Sequence, residues 1–527
     1  MGRNPTNRRP PIMGTDPGAG AGAGDEAADP DRISGLPDHL LHDILIRLPG
    51  TADAARTSTL SRRWRRVWTH TPVISLDYRC EFEPASPGGR VPDRVDAALA
   101  AHAAGTGTGV VSLSLSRLEI TLRFESLNHL RTDRIAAWLH VAAQHLAGEL
   151  RITLPFCYHS AIADGEGLGE VLLPVCERAT SISLDLSYRT LRFALPPAGA
   201  GAGAGGVFFK ALATLTIRLA CLHARDLEAA VSSSRCPCLK KLVIEWIRLQ
   251  QDDDDGGDGD GACDLSIRSD SLEWLEISYA VRHYGRLHVH APNLETFHAC
   301  ITCDLCVLAP NKLSEVRWWN SDDHAYDSSR HHLARAGHQL RRLGVGADSS
   351  GLALMRQFNT VDELDLTVNL KRGVEEYERF LKYTDTLARC NVLLVRFRMI
   401  EHGFQPAMLH LLRKCAGVPR LVVQLSDRLD GYPYPCKVSS GCPCSRLENC
   451  KTQNVVLDSL EEIVINDHGC VDHKAELVRL LCRCSTRFHK KVAITVSHSG
   501  RTDDLRNKIL SICPPNNKTE ITIQQCT

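Results

Sequence analysis

LEWLEIS, residues 272–278, carries apolar side chains at its first, fourth and sixth positions, Leu272, Leu275 and Ile277. Alternation along the stretch is that of a strand with one buried face, which leaves Glu273 and Glu276 on the opposite, exposed side. The pattern recurs in order along the chain. Leu212, Leu215 and Ile217 fit it, as do Leu239, Leu242 and Ile244. Further copies are Leu294, Phe297 and Ala299, then Leu313, Val316 and Trp318, then Leu340, Leu343 and Val345. VDELDLT contributes Val361, Leu364 and Leu366, with Asp365 on its exposed side, and a late copy lies at Leu460, Ile463 and Ile465.

Starts of neighbouring copies from 212 to 361 lie roughly 19 to 33 residues apart, close to the period of leucine-rich repeats. A lone strand cannot bury its apolar face, whereas stacked parallel strands bury one continuous core. The reading is therefore α/β: a leucine-rich-repeat solenoid of parallel strands with irregular helices and loops, irregular repeats filling residues 100–440. Its exposed strand face is available to a partner.

The 527 residues are 43% hydrophobic, enough for a sizeable core. Lys plus Arg equals Asp plus Glu at 62 each, so no global field favours nucleic acid or an anionic membrane. Residues 1–30 end in a Gly/Ala-rich run and read as a disordered leader without the apolar core of a secretory signal. Similar Gly-rich and acidic runs, 196–206 and 251–264, read as loops inserted in the repeats. The best apolar stretch, Ile135 to Leu146, is interrupted by His140, Gln144 and His145 and is too short to span a bilayer. An intracellular protein, nuclear or cytoplasmic, is expected, with most of its 21 cysteines free thiols.

Cys300, Cys303 and Cys306 run at C-x-x-C-x-x-C spacing, and Cys436, Cys442, Cys444 and Cys450 cluster later. Neither group supplies the two paired knuckles of a tetrahedral zinc site, so no metal is assigned. The acidic run Asp252 to Asp260 lacks the spaced ligands and terminal Glu of a calcium loop, and the Gly-rich runs lack the Lys and hydroxyl of a phosphate loop. His331 and His332 are accompanied by no hydrolase or metalloprotease motif. No catalytic residue and no cofactor is expected.

Ahead of the repeats, residues 31–77 show dense helix punctuation. Pro37 and Asp38 suit the start of a first helix, in which Leu40, Leu41, Ile44, Leu45 and Leu48 recur at helical spacing until Pro49. Thr51 can cap a second helix over Asp53 to Ser58, and Ser61 a third in which Trp64, Val67 and Trp68 share a face. Arg62, Arg63, Arg65 and Arg66 line the remaining faces and suit a solvated surface, or one that meets an acidic protein, better than a nucleic-acid patch. So small a unit has little core of its own and reads as a docking module.

The strings LPDHLLHDILIRLP and RTSTLSRRWRRVW in this segment resemble the plant F-box motif over nearly all its length. The resemblance implies binding to a Skp-family adaptor and, through it, a cullin. Leu36, Pro37, Leu41, Ile44, Leu48, Leu60, Ser61 and Trp64 match adaptor-contacting or supporting positions, while Trp68 is expected in the core. Cys442 to about Ser497 is similar to the FBD-type ending of plant F-box, leucine-rich-repeat proteins, with Asn449-Cys450-Lys451 where relatives often show an Asn-Trp pair. Its strand-helix-strand pattern, with Leu477, Leu480 and Leu481 inward, would cap the last repeat as an FBD-like segment over 441–497, leaving 498–527 as a tail. The implied function is that of a non-catalytic substrate receptor in a cullin-RING ubiquitin ligase, holding an unknown target protein on its repeats. The alternative is a non-ligase repeat scaffold or ligand sensor.

Overall fold

The computed structural model describes residues 33, 35–78, 91–106, 114–122, 130–154, 169–194, 207–250, 264–279, 285–301, 303–308, 312–319, 326–327, 329–333, 340–370, 374–400, 404–415, 417–425, 455, 457–467, 471–484, 492–498, 502–512 and 519–525. The leader, the runs at 196–206 and 251–263, and the Cys436–Cys450 cluster lie outside these residues.

The apolar alternation of each copy becomes a strand, and the strands stack in one eighteen-stranded parallel sheet. All but Glu170–Leu173 and Arg248–Gln250 form its front row, in chain order from Val73–Tyr78 to Thr519–Gln525. The register aligns two apolar columns. One runs through Leu215, Leu242, Leu275, Phe297, Val316 and Leu343, and the other through Ile217, Ile244, Ile277, Ala299, Trp318 and Val345. All 24 positions of the eight copies read from the sequence are buried. Each contributes to one continuous core, as stacking of otherwise unstable single repeats requires.

What backs the front row changes along the solenoid. Towards the two ends, helices pack behind the strands, among them Thr132–His145, Phe404–Lys414 and Val471–Cys484. In the middle a second parallel sheet takes their place, built from Leu265–Arg268, Arg286–His290, Asp304–Leu308 and His331–Leu333. Its inward residues Leu287, Val289, Leu305 and Val307 join the same core. Segments such as RLHVH alternate with period two and are too short for a helix, so they pair with their equivalents in the next repeat.

Several expectations are corrected. Residues 498–527 are more than a tail: Thr502–Ile512 is helical, and Thr519–Gln525 pairs in parallel with Val492–His498, extending the sheet. Ile521 and Ile523 repeat the two-column spacing, which is why the sheet gains another strand here. The front row likewise begins before residue 100, at Val73–Tyr78. Leu477, Leu480 and Leu481 are inward as read. Most of the described cysteines are free as expected, nine of them with seven buried, and Cys482 is disulfide-bonded. Burial raises several of the thiols, Cys303 and Cys415 to about 12, because a thiolate there would lack solvation. Among the described residues no helix is long and apolar enough to cross a membrane.

Candidate docking surfaces

The N-terminal unit folds around a core separate from that of the repeats. Its helices are α1 (Asp38–Ile46), α2 (Thr51–Arg56) and α3 (Trp64–Val67), with 3₁₀ turns at Thr57–Thr59 and Trp68–His70. Leu41, Leu45, Ala54, Trp64 and Val67 form the buried cluster, and Leu36, Leu48 and Trp68 pack partly buried around it. Arg63 ties α3 to α1, its Nε donating to Asp38 Oδ1 at 3.0 Å while a terminal nitrogen donates to the Leu36 carbonyl at 2.5 Å. His42 Nε2 meets the Val67 carbonyl at 3.1 Å, and burial lowers the imidazole's pKa, so it is held neutral.

Thr51 does not cap α2. It is the helix's first residue, and its hydroxyl oxygen accepts from the Ser75 N–H at 2.8 Å, joining the helical unit to the first strand of the solenoid. Ser61 does act at the start of α3, its hydroxyl accepting from the Trp64 N–H at 3.4 Å. At the junction His102, on the helix Val91–Thr106, meets the Thr71 carbonyl at 3.2 Å, and burial pushes its pKa down to about 4.

The eight residues singled out in this unit divide by burial. Leu41 and Trp64 lie in its core, Leu36, Leu48 and Ser61 are partly covered, and Pro37, Ile44 and Leu60 are exposed, Leu60 by 67%. Leu40, four residues before Ile44 on the same helical face, joins the exposed set, as do Ile33 and Ile46. The i, i+4 spacing was the signal for Leu40. Five of the ten exposed large hydrophobics among the described residues are thus Ile33, Leu40, Ile44, Ile46 and Leu60. So high a share in one small unit points to an interaction surface rather than to scattered surface hydrophobics. Arg62, Arg65 and Arg66 are exposed on the same unit and, among the described residues, make no ion pair.

A second surface is the front face of the sheet, where polar residues pair across strands. His298 Nε2 lies 3.1 Å from Glu315, its Nδ1 lies 3.8 Å from Glu276, and its ring sits against Trp274 and Trp319 with centroids at 4.6 and 5.6 Å. Burial alone would lower the His298 pKa, but the hydrogen bonds to the two carboxylates outweigh it and raise it. Arg317 reaches Glu315 at 2.8 Å and Asp365 at 3.9 Å, and Arg396 closes on Asp365 at 2.8 Å. Asp365 is therefore buried rather than exposed. Gly344 lies between Arg317 and Asp365 in register, and a Cβ there would meet the Arg317 side chain at 2.7 Å, so glycine leaves the arginine room to cross. Glu276 is half-buried, held by the same network.

Beyond this network, Trp246 and Tyr279 follow the ends of adjacent strands with left-handed backbone, φ 55° and 54°. Such a conformation costs a non-glycine residue on the order of 1 kcal/mol. Their rings stack at 4.0 Å and remain 49% and 42% exposed. The front face thus offers a broad surface of neutralised ion pairs edged by open aromatic faces, the residue types that anchor protein interfaces.

Residues 33–75 match the family model described as F-box domain. An F-box/LRR-repeat protein of Arabidopsis thaliana is 54% identical over 56 residues, 11% of this chain and 12% of the relative. An F-box/FBD/LRR-repeat protein of the same plant is 57% identical over 47 residues, 9% of this chain and 10% of the relative. A putative F-box/FBD/LRR-repeat protein, also from Arabidopsis thaliana, is 32% identical over 127 residues, 24% of this chain and 26% of the relative. The chain spans about a tenth of the length of the first two and about a quarter of the third.

Proposed function

We propose that the chain is a substrate receptor of a cullin-RING ubiquitin ligase, its F-box docking a Skp-family adaptor and its repeats holding a target protein. The observation that carries this reading is the exposed apolar set Leu40, Ile44 and Leu60 on a helical unit whose own core consists of five buried residues. Burying that set against a partner removes apolar surface from water at roughly 25 cal/mol per Å². Ubiquitin transfer would be performed by other subunits, with this chain supplying proximity and no reacting group. The front face and its aromatic edge are the surface on which we place the target. Residues 441–497 are read as an FBD-like cap on the strength of the relatives' names, and an intracellular site, nuclear or cytoplasmic, follows from the proposed partners.

Co-purification with a Skp-family adaptor tests the reading and separates it from a repeat scaffold without ligase coupling. Full-length protein should retain adaptor, and a chain starting at about residue 80 should not. Ile44→Asp should lower adaptor affinity roughly 100-fold or more, because an unpaired carboxylate buried at an interface costs several kcal/mol. Adaptor capture by the truncated chain equal to that of the full chain would sink the assignment.

A further inference from the structure

We propose that His288, Cys306 and His332 form a binding site for a zinc-class divalent cation on the outer face of the four-stranded rear sheet. The three residues come from three separate repeats, and only Cys306 belongs to a run with ligand-like spacing along the chain, C-x-x-C-x-x-C. The parallel register brings them side by side: His288 pairs with Cys306, and Cys306 with His332. Residues in register on adjacent parallel strands point to the same face, and here that face is outward, since Leu287, Val289, Leu305, Val307, His331 and Leu333 take the inward one. The three donors are accordingly solvent-accessible, His288 and Cys306 partly buried and His332 exposed.

The chemistry of the set is specific. Two imidazoles and a thiolate are the soft and borderline ligands that bind zinc and its neighbours, and calcium or magnesium would require oxygen donors. The flanking charged groups are occupied otherwise, Asp304 pairing with Arg330 at 2.6 Å and Asp264 accepting from the Arg286 N–H at 2.8 Å. Among the described residues none of the three donor side chains has a hydrogen bond or ion pair of its own. Neighbouring strands are about 4.8 Å apart, so the two histidines flank the cysteine at a separation of about 9.6 Å. Two imidazole arms, each with a metal–nitrogen bond of about 2.1 Å, can span that distance above a sulfur bonded at about 2.3 Å. As the side chains stand, no three His, Cys, Asp or Glu groups among the described residues converge on a point. Closure therefore requires the two imidazoles to turn towards Cys306, which their exposure permits at little cost. Binding converts the Cys306 thiol to a thiolate and releases one proton to water, so affinity should rise with pH. The fourth coordination position faces solvent and is left to water. The bound cation would clip three neighbouring repeats together in the part of the solenoid that has strands in place of helices at its back.

Cobalt(II) titration of the full chain provides the test, because a cobalt–thiolate bond gives a charge-transfer band in the near ultraviolet that histidine-only sites do not. The expected result is a band saturating at one equivalent, displaced by zinc, abolished by Cys306→Ser and unchanged by Cys238→Ser, which removes another exposed thiol. His288→Ala and His332→Ala should each weaken zinc binding at least tenfold in competition with a chromophoric chelator. Thermal unfolding in EDTA should be the same for all variants, since the replaced side chains face outward, and zinc should raise the transition only where all three ligands remain. Absence of the band in the native protein, its persistence in Cys306→Ser, or its loss in Cys238→Ser overturns the proposal.

Discussion

The helical unit at the N-terminus and the repeat body solve the same burial problem in opposite ways. The first closes a core of five buried residues and leaves Ile44 and Leu60 in water. The second continues two apolar columns through strand after strand and lets no residue of the LEWLEIS pattern remain exposed. Polar groups follow the same division. Among the described residues Arg62, Arg65 and Arg66 of the helical unit make no ion pair, while the front face of the sheet closes Glu315, Arg317, Asp365 and Arg396 into a network. A unit with unfinished apolar surface and unpaired charge changes its burial when a partner docks, and one whose front face is tied into ion pairs presents a surface of fixed shape. The two regions should therefore respond differently to the same chemical insult.

Truncation of a branched aliphatic side chain tests this most severely. Leu275→Ala removes methyl groups between Leu242 and Phe297 in the buried column, and should cost roughly 2 to 5 kcal/mol in denaturant unfolding. Because each repeat is held by its neighbours, hydrogen-exchange protection should fall in the adjacent strands as well. Ile44→Ala, at a position 40% exposed, should change stability by no more than about 0.5 kcal/mol while weakening adaptor capture. Equal losses of stability at the two sites would erase the distinction between a finished core and a docking surface.

The repeat body was legible because its signal is local. Three apolar residues at fixed offsets identify a strand, and copies in order identify a stack. The same offsets also occur at Leu115, Leu118 and Ile120 and at Val418, Leu421 and Val423, and the signal weakens where the first offset holds a small residue, as Ala179 does before Ile182 and Leu184, and Cys390 before Leu393 and Val395. The rear sheet was not legible: three- to five-residue segments carry too little periodicity, and only register with the next repeat defines them. For the same reason, the C-x-x-C-x-x-C spacing does not say which side chains share a face. Chain geometry sends Cys303 into the core and Cys306 outward, and cross-strand pairing sets Cys306 beside two histidines from other repeats. In the helical unit the apolar stripe was evident, but its division into core and surface depends on where α3 docks, which the Arg63–Asp38 pair and the Val67 carbonyl decide in three dimensions.

Acid sharpens the comparison at an intermediate level. His102, at the joint between the two regions, has its pKa pushed down to about 4 by burial, and His42 within α1 is lowered for the same reason. The unfolded chain then binds protons that the folded form refuses, so stability falls as pH drops from the ordinary histidine value of about 6.5 towards 4. After discounting for solvent screening the loss at His102 should be on the order of 1 kcal/mol. His298 on the front face has the opposite sign. Its raised pKa gives stability that is complete below about 6.5 and is lost as pH rises through the folded value. Unfolding followed between pH 4 and 8 should show acid-induced loosening at the F-box joint, reduced in His102→Gln, and a separate loss on the alkaline side, reduced in His298→Gln. Coincident pH dependence in the two variants would show that the two histidines do not report on distinct regions.

The smallest effect is expected where the repeat body is most exposed. Arg117 and Glu149 pair across neighbouring strands at 3.0 Å, with both side chains about half in water. Their charges remain hydrated, so the attraction is offset by screening and by the entropy of holding two long side chains still. A double-mutant cycle to Ala should give a coupling of no more than about 1 kcal/mol at low salt, and it should fade at 1 M salt, where the screening length drops to about 3 Å. The network around Asp365 differs in kind: its carboxylate is buried beneath Arg317 and Arg396, which keeps counterions away. Arg396→Ala would leave that carboxylate short of a partner, so its cost should exceed the Arg117–Glu149 coupling and persist in high salt. If both pairs weakened alike as salt was added, the front face would be an ordinary solvated surface and the contrast with the free arginines of the helical unit would disappear.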